Sequence, residues 1–351
     1  MKYTNSSGLS INFTPWFDIG FRFSKLHMVE KIGGHIPGGI ITLEHTGGDI
    51  SLKGLSEITE GEISIETKSG ILIVSKVFIT SKNFLKNNVE LTFVCIKEKE
   101  FLYDRHSKVW DDIEDAIRSL YPGEVDIRCK SDTTSGISLI QSWETDHSFL
   151  NRLCLSYKKN IVFGYGWDKL ILKDIIGIDS LGRSEPDSVL VTGSDLILSD
   201  YIRKNYNHQL FKQPKNPWEE ETEFTELQPK NFQVVVDRGD FRIIGKKHRP
   251  LVNNYLYNRR LMETNLFTSI IGKGKVIPVY RLGDTISYVG IEKMYGLENF
   301  PYKTFLVSSN EFFISTPESS KAVDSHGLSN LSWTTKLIGL EENGKLLPEE
   351  E

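Results

Sequence analysis

The segment 137–178 constrains the fold most, because patterns typical of a strand, a helix and a hairpin follow one another within it. Residues 137–141 alternate in polarity, which predicts a strand. Thr145 or Asp146 can cap a helix, because a short side-chain oxygen accepts the free amide protons of a first helical turn. The predicted helix has an apolar face with Phe149, Leu150, Leu153, Cys154 and Tyr157, and a polar face with Asn151, Arg152 and Lys158.

A hairpin is predicted after this helix. Residues 161–163 form an apolar run, residues 164–167 are glycine-rich and typical of a turn, and residues 169–172 form a second apolar run. None of these residues supplies an obvious catalytic group. The segment therefore predicts a structural part and no reaction.

The polar residues of this segment carry a family resemblance. Residues 141–153 have the pattern Gln-x-x-Glu-Thr-Asp-x-x-Phe-Leu-x-Arg-Leu, and a short apolar strand, a glycine-rich turn and a leucine-rich strand follow. This arrangement resembles a signature of phage tail baseplate hub proteins, whose hub module is shared with the spike proteins of type VI secretion systems. The resemblance implies a mainly β fold, with two tail-tube-like antiparallel β-barrel domains flanking a small α/β middle module.

The first hundred residues are predicted to be β-structure. Alternating runs occur at residues 10–13, 21–23, 40–43, 62–67, 71–80 and 89–94. Residues 33–39 contain four glycines and a proline, which predicts a turn. Several short strands separated by turn residues favour a small antiparallel barrel or sandwich. Residues 1–100 therefore resemble the tube-like β-domain with which hub proteins begin.

A second helix is predicted from Ser107, as its cap, to the Pro122-Gly123 stop. Four acidic residues lie in its first turns, where negative charge suits the helix dipole: Asp111, Asp112, Glu114 and Asp115. Its apolar face contains Val109, Trp110, Ile113, Ala116, Ile117 and Leu120. The spacing of the acids is that of a solvated helix face and does not indicate a metal site. This helix and the segment described above form the predicted α/β middle module, residues 101–211.

The chain is harder to interpret after residue 178. Residues 181–187 are typical of a loop, residues 188–192 of a strand, and residues 199–203 of a short helical turn. Residues 212–230 hold three prolines and a run of acids, which predicts a linker or an exposed excursion. In an assembly such a segment could pack on a neighbouring subunit.

A second β-domain is predicted over residues 231–340. Its expected strands are residues 232–236, 241–244, 266–271, 276–277, 285–289 and 302–316, with turns at residues 272–275 and 282–284. The run at 71–80 is similar to the run at 305–316, as expected for two copies of one β-domain. Residues 341–351 are acidic and are predicted to be a disordered tail.

Composition excludes several classes of protein. Hydrophobic residues make up 39% and charged residues 25%, and no apolar run reaches the roughly 20 residues of a membrane span. A net charge of −5 argues against a general nucleic-acid binder. The N-terminal residues lack the apolar core of a signal peptide, so we expect a cytoplasmic chain unless it leaves within an assembly. Cys95, Cys129 and Cys154 are expected to be buried free thiols.

Catalytic constellations do not assemble from the sequence. Gly272 and Gly274 lack the full spacing of a phosphate loop, and a hairpin turn is the better interpretation. The eight histidines show no metal-ligand spacing, and His147 is expected to be a surface residue. The basic run 245–249 is interpreted as a solvated loop, with the lumen of a DNA-conducting tube as the alternative. We expect no catalytic, cofactor-binding or metal-binding residues.

These patterns and the resemblance predict a structural baseplate hub protein of a phage tail or related contractile injection system. The resemblance implies a homotrimer that adapts the six-fold tail tube to the three-fold central spike. Its expected partners are the tube protein, the spike and baseplate wedge or other tail proteins, with DNA passing through the lumen. The expected location is the virion tail baseplate, with viral tail assembly taking place in the host cytoplasm.

Three alternatives stay open at this point. Two are a hub-like tail-tip protein of a non-contractile tail and a spike component of a contractile secretion system. The third is a peptidoglycan- or polysaccharide-cleaving enzyme, against which the lack of an acid pair or metal set weighs.

Overall fold

The computed structural model describes most of the first half of the chain and separate parts of the second half. The described residues are 2–4, 10–14, 21–45, 55–67, 70–131, 138–159, 161–167, 169–175, 177–178, 184–185, 188–191, 197–203, 208–214, 222–224, 232–236, 251, 254–255, 258, 268–274, 280–289, 304–315 and 330–340. Predictions for 241–244, 245–249, 276–277 and 341–351 lie outside these residues.

The N-terminal region is an antiparallel sheet, as predicted. Its strands are β1 (Lys2–Thr4), β2 (Ser10–Thr14), β3 (Phe21–Ile32), β4 (Gly38–His45), β5 (Glu60–Thr67), β6 (Gly70–Phe84) and β7 (Asn88–Cys95). They lie in the order β1-β2-β5-β6-β7-β4-β3. Side chains of β7 alternate between buried and partly exposed positions, because successive residues of a strand point to opposite faces.

The predicted turn at residues 33–39 is shorter in the structure. Gly38 and Gly39 belong to β4, which pairs with β3 and β7. A Cβ atom on Gly38 would collide with the carbonyl oxygen of Phe93, and one on Gly39 with the carbonyl oxygen of His27. Glycine in this segment therefore allows the backbones of neighbouring strands to approach closely, in addition to forming the turn.

The middle module is α/β, as predicted. Its elements are α1 (Glu100–Tyr103), β8 (Arg105–Trp110), α2 (Ile113–Leu120), β9 (Glu124–Arg128), β10 (Leu139–Thr145), α3 (Asp146–Tyr157), β11 (Ile161–Tyr165) and β12 (Lys169–Asp174). β12 pairs with β11 antiparallel and with β9 parallel. Buried residues of α2, α3, β11 and β12 form one hydrophobic core. β8 and β10 form a separate antiparallel ribbon.

Two predicted boundaries in this module were wrong. Residues 105–110 form β8 and do not belong to a helix capped by Ser107. The helix α2 begins at Ile113, and the Asp112 carboxylate caps it by accepting the amide protons of Glu114 and Asp115. The turn predicted at residues 164–167 begins only at Gly166, because β11 continues to Tyr165. The amide of Gly166 donates to the carbonyl of Lys169 at 2.8 Å and closes that turn.

The described part of the C-terminal half is also mainly β. Its strands are β13 (Gly177–Ile178), β14 (Ser184–Glu185), β15 (Ser188–Val191), β16 (Ile197–Arg203), β17 (His208–Pro214), β18 (Thr222–Phe224), β19 (Phe232–Val236), β20 (Thr268–Gly274), β21 (Thr285–Val289), β22 (Thr304–Ser315) and β23 (Asn330–Leu340).

These strands confirm some predictions and correct others. The strands expected at 188–192, 232–236, 285–289 and 302–316 are present. Residues 199–203 belong to β16 and do not form the predicted helical turn. Residues 272–274, predicted as a turn, belong to β20, which pairs with β16 and β23. Part of the segment predicted as a linker is extended, since β17 ends at Pro214 and pairs with β18.

Strand β3 joins the N-terminal and C-terminal β-regions. It pairs with β4 on one side and with β22 on the other, and its last two residues, Lys31 and Ile32, pair with β11. The main sheet therefore continues from β3 through β22, β23 and β20 to β16. Phe312 and Ile314 of β22 lie in the same hydrophobic core as the N-terminal strands. The prediction of a mainly β fold with an α/β insert is confirmed, and the described pairings form an open path that does not close into a barrel.

Candidate functional site

A polar cluster fixes strand β10 to helix α3. Gln141 is only 1% exposed. Its side-chain nitrogen Nε2 donates to Asp146 Oδ1 at 2.7 Å and to the backbone carbonyl of Glu144 at 3.2 Å. Thr145 Oγ1 accepts the amide proton of Ser148 and caps the helix. Arg152 Nη2 forms an ion pair with Glu144 Oε1. These contacts confirm the predicted helix cap and show that the other signature residues hold the strand to the helix.

The same cluster supports a β-bulge at Trp143. The pairing of β10 with β8 shifts register between Ser142 and Glu144, and Trp143 has a φ of 49°. Its amide donates to Ser107 Oγ at 3.0 Å, and the amide of Ser142 donates to Glu144 Oε1 at 3.3 Å. A positive φ is unfavourable for a bulky residue, so its neighbours must hold this backbone in place. The bulge leaves the Trp143 side chain 67% exposed.

His147 is not the surface residue that the sequence predicted. It is partly buried, and its Nε2 lies 2.9 Å from the carbonyl oxygen of Gly34, to which it can donate a proton. The rings of Phe101 and Tyr165 lie 5.6 and 5.5 Å from the imidazole. Burial lowers the pKa of His147, and nearby His35 lowers it further, although the hydrogen bond to Gly34 opposes both effects.

We expect the stability of the protein to fall as the pH drops below about 6.5, the ordinary pKa of histidine. The folded state holds the pKa of His147 below that value, so the unfolded chain binds the proton more tightly. The contribution of neutral His147 to stability is therefore complete above the ordinary pKa. It is lost as the pH falls toward the pKa that His147 has in the folded protein. Melting temperatures measured between pH 8 and 5 check this expectation.

The variant His147→Gln should show a smaller loss of melting temperature over the same pH range. His35 has a pKa that burial and the charge of Lys31 lower, so the double variant with His35→Gln should show a still smaller loss. A single variant with the full wild-type pH dependence would contradict the role of His147.

A buried polar junction connects the two β-regions. We use this name for Glu30 of β3, Asn310 of β22 and Thr335 of β23, which are 4%, 0% and 0% exposed. Asn310 Nδ2 donates to Glu30 Oε1 at 2.7 Å, and Thr335 Oγ1 donates to Asn310 Oδ1 at 2.9 Å. The amide of Trp167, in the turn between β11 and β12, donates to Glu30 Oε2 at 3.2 Å. One carboxylate of the N-terminal region therefore contacts both the C-terminal region and the middle module.

The described residues show no constellation for catalysis. They contain no group of three or more metal-ligating side chains. Cys95 and Cys154 are buried, as predicted, while Cys129 is half-buried. Burial raises the pKa of the Cys95 thiol to about 12, and it raises the pKa of Cys154 as well. Such thiols are unreactive at neutral pH, because the thiolate is the nucleophile.

The acidic residues near helix α2 have structural partners. Asp112 caps the helix, and Glu114 pairs with Arg118 at 2.8 Å and accepts a hydrogen bond from the Tyr157 hydroxyl at 3.1 Å. This agrees with their interpretation as a helix surface. Among the described residues, no helix is both long enough and apolar enough to span a membrane.

The sequence contains a signal for the buried junction, which is a carboxylate within the apolar register of β3. Leu26, Met28, Glu30 and Ile32 alternate along β3, and all four are buried. A carboxylate in an otherwise apolar register of a strand indicates a paired buried charge, because an unpaired one would be too costly. Nothing in the sequence identified its partner, since Asn310 lies 280 residues away.

Comparison with solved structures shows that the fold is shared with phage tail and secretion-system proteins. The 43 kDa tail protein of prophage MuSo2 from Shewanella oneidensis superposes with a TM-score of 0.55 at 10% identity, over 97% of this chain and 98% of that chain. A tail protein from Neisseria meningitidis MC58 superposes with a TM-score of 0.52 at 12% identity, over 95% and 96% of the two chains.

The similarity extends to type VI secretion. The E. coli c3393 protein is a component of that system and is itself similar to the T4 bacteriophage tail proteins gp27 and gp5. It superposes with a TM-score of 0.53 at 10% identity, over 97% of this chain and 79% of that chain. No family model matches the sequence, and no curated protein matches it. The fold is therefore one shared by phage tail proteins and a type VI secretion component, as the family resemblance implied.

Proposed function

We propose that the chain is a structural baseplate hub protein of a phage tail. The observation that carries the proposal is the shared fold, which covers nearly the whole of this chain and of a prophage tail protein. The signature at residues 141–153 supports it independently, because its polar residues form a capped strand–helix unit and no reactive site. In this proposal the protein has no catalytic activity.

In the proposed assembly three copies form a ring. Each copy contributes two tube-like β-domains, residues 1–100 and 231–340, so that a trimer presents six similar domains toward the six-fold tail tube. Its three-fold axis matches the central spike. Such an adaptor requires the two β-regions of one copy to keep a fixed relative position. The continuous pairing of β3 with β22 and the buried polar junction supply that rigidity.

The proposed partners follow from this position in the tail. They are the tail tube protein, the central spike and baseplate wedge or other tail proteins, with DNA passing through the lumen of the ring. The protein would be assembled in the host cytoplasm and would act in the virion tail.

A second candidate function is the hub part of a contractile secretion spike. The observation that favours it is a superposition on one chain of the Francisella PdpA-VgrG complex, with a TM-score of 0.54 at 11% identity. The match covers 98% of this chain but only 54% of that chain. In this candidate the chain would correspond to the hub portion of a longer spike.

The proposal predicts that the purified protein is a trimer, alone or after addition of tube or spike partners. Light scattering with size-exclusion chromatography measures the mass directly against the 40.0 kDa of one chain. A mass close to three chains is expected. A strict monomer in the absence and in the presence of both partners would remove the symmetry-adaptor role.

A further inference from the structure

The β8–β10 ribbon presents an unusually exposed apolar surface. Val109 and Ile140 lie directly opposite each other in the pairing of the two strands, and they are 58% and 42% exposed. Trp143, three residues further along β10, is 67% exposed. Nearly every residue of β8 is exposed, whichever face of the ribbon it points to. Three exposed hydrophobic side chains on one ribbon are typical of an interaction surface.

The exposure of Trp143 depends on contacts that the protein maintains around it. Its strained backbone is fixed by Ser107 of β8 and by Glu144, which Arg152 holds in turn. Bulges re-aim side chains, and tryptophan is enriched among residues that dominate binding energy at interfaces. The signature cluster therefore holds Trp143 in an exposed position as well as joining strand to helix.

Strand β8 of the ribbon is also basic, in a chain whose net charge is −5. Arg105, His106 and Lys108 lie in sequence on β8, and all three are exposed. Among the described strands β8 pairs only with β10, so none of them occupies its other edge. An open edge binds extended peptides through its backbone, while flanking side chains select the sequence. Positive charges on this edge select an acidic strand.

The chain itself contains a segment of this kind. Residues 218–226 include five glutamates together with Trp218 and Phe224. Thr222–Phe224 of this segment is strand β18, which among the described strands pairs only with β17. The segment is therefore acidic and partly apolar, its described residues 222–224 are extended, and none of the described strands occupies the second edge of β18.

We propose that the β8–β10 ribbon binds residues 218–226 of a second copy of this chain. The acidic segment adds as a strand along the open edge of β8. Its glutamates pair with Arg105 and Lys108, and its aromatic side chains pack on the surface formed by Val109, Ile140 and Trp143.

This inference rests on the proposed trimer and specifies how neighbouring copies are joined. The contact uses two different surfaces of each copy. A contact of that type closes into a ring of three when it relates neighbouring copies by a rotation of one third of a turn.

The test is a charge exchange, with the trimer dissociation constant measured by sedimentation. The double variant Arg105→Glu with Lys108→Glu should weaken the trimer about thirtyfold, the loss expected when residues important for binding are removed. A second variant replaces Glu219, Glu220, Glu221 and Glu223 by lysine and should weaken the trimer similarly. Combining the two sets restores opposite charges across the contact, and the trimer should recover.

A matched control separates this contact from a general effect of charge. Lys86→Glu with Lys97→Glu makes the same change of charge at two exposed lysines outside the ribbon, and it should leave the trimer unchanged. Melting temperatures establish that each variant is folded.

A direct measurement uses a carbodiimide, which joins amines to carboxylates. With mixed isotope-labelled and unlabelled wild-type chains, Lys108 should be linked to glutamates of residues 219–226 in the other copy.

The possible outcomes distinguish this inference from the proposed function. A wild-type trimer that the ribbon variants leave intact would overturn the inference, while the adaptor role would stand. Loss of tube or spike binding with an intact trimer would likewise overturn it, because the ribbon would then bind another protein. Weakening that the combined variant fails to reverse would exclude residues 218–226 as the occupant. A wild-type chain that is monomeric with every partner would overturn the trimer and this contact together.

Discussion

Replacing Asn310 by alanine is expected to lower the free energy of unfolding by about 3–5 kcal/mol, because it removes a donor from a buried carboxylate. Asn310 donates to Glu30 and to the carbonyl of Tyr280, and it accepts from Thr335. All three partners would lose a hydrogen bond, and two of them belong to buried residues. Chemical denaturation of the wild-type and variant proteins measures the difference.

The variant Asn83→Ala is a suitable control for this measurement. Asn83 is exposed on β6, where its amide contacts Glu90 only at 3.5 Å, so its removal should change stability by less than about 0.5 kcal/mol. Combining Asn310→Ala with Thr335→Val should cost less than the sum of the two single changes, because both disrupt one network. A stable Asn310→Ala variant would show that the junction does not hold the two β-regions together.

Replacing Leu153 by alanine is expected to cost about 2–5 kcal/mol. Leu153 is 1% exposed, lies on the buried face of α3 and packs in the core of the middle module. The change removes apolar contacts and leaves a cavity, since neighbouring side chains relax only in part. The shift of the denaturation midpoint measures the effect.

Leu85→Ala makes the same chemical change at an exposed site. Leu85 is 45% exposed and lies just after the end of β6, so this variant should remain within about 0.5 kcal/mol of the wild type. If Leu153→Ala and Leu85→Ala had equal stabilities, the assignment of the buried face of α3 would be wrong.

The sequence predicted helix α3 well because several local signals agreed. Thr145 supplies the cap, and the residues predicted on the apolar face, from Phe149 to Tyr157, are all buried. The alternating strands of the first hundred residues were predictable for the same reason. In both cases the information lies within one element.

The errors occurred where a strand's partner, and not its own pattern, determines the structure. Strand β8 is exposed on both faces and therefore shows no alternation, so Val109 and Trp110 match the helical spacing of α2 although they belong to a strand. Gly272 and Gly274 suggested a turn, but their pairing with β16 and β23 makes them a strand. The bulge at Trp143 depends on Ser107, which no local rule connects to it.

The long separation between Glu30 and Asn310 also has a consequence for synthesis on the ribosome. Because 280 residues separate them, translation at 5–20 residues per second makes Asn310 roughly 14–56 s after Glu30. During that interval one side of β3 has no native strand to pair with, and the Glu30 carboxylate lacks the side-chain amide of Asn310. A polypeptide that terminates early can never complete this contact. The fold therefore discriminates against copies that end before residue 310, since such a copy lacks the side chain that joins β22 to Glu30 of β3.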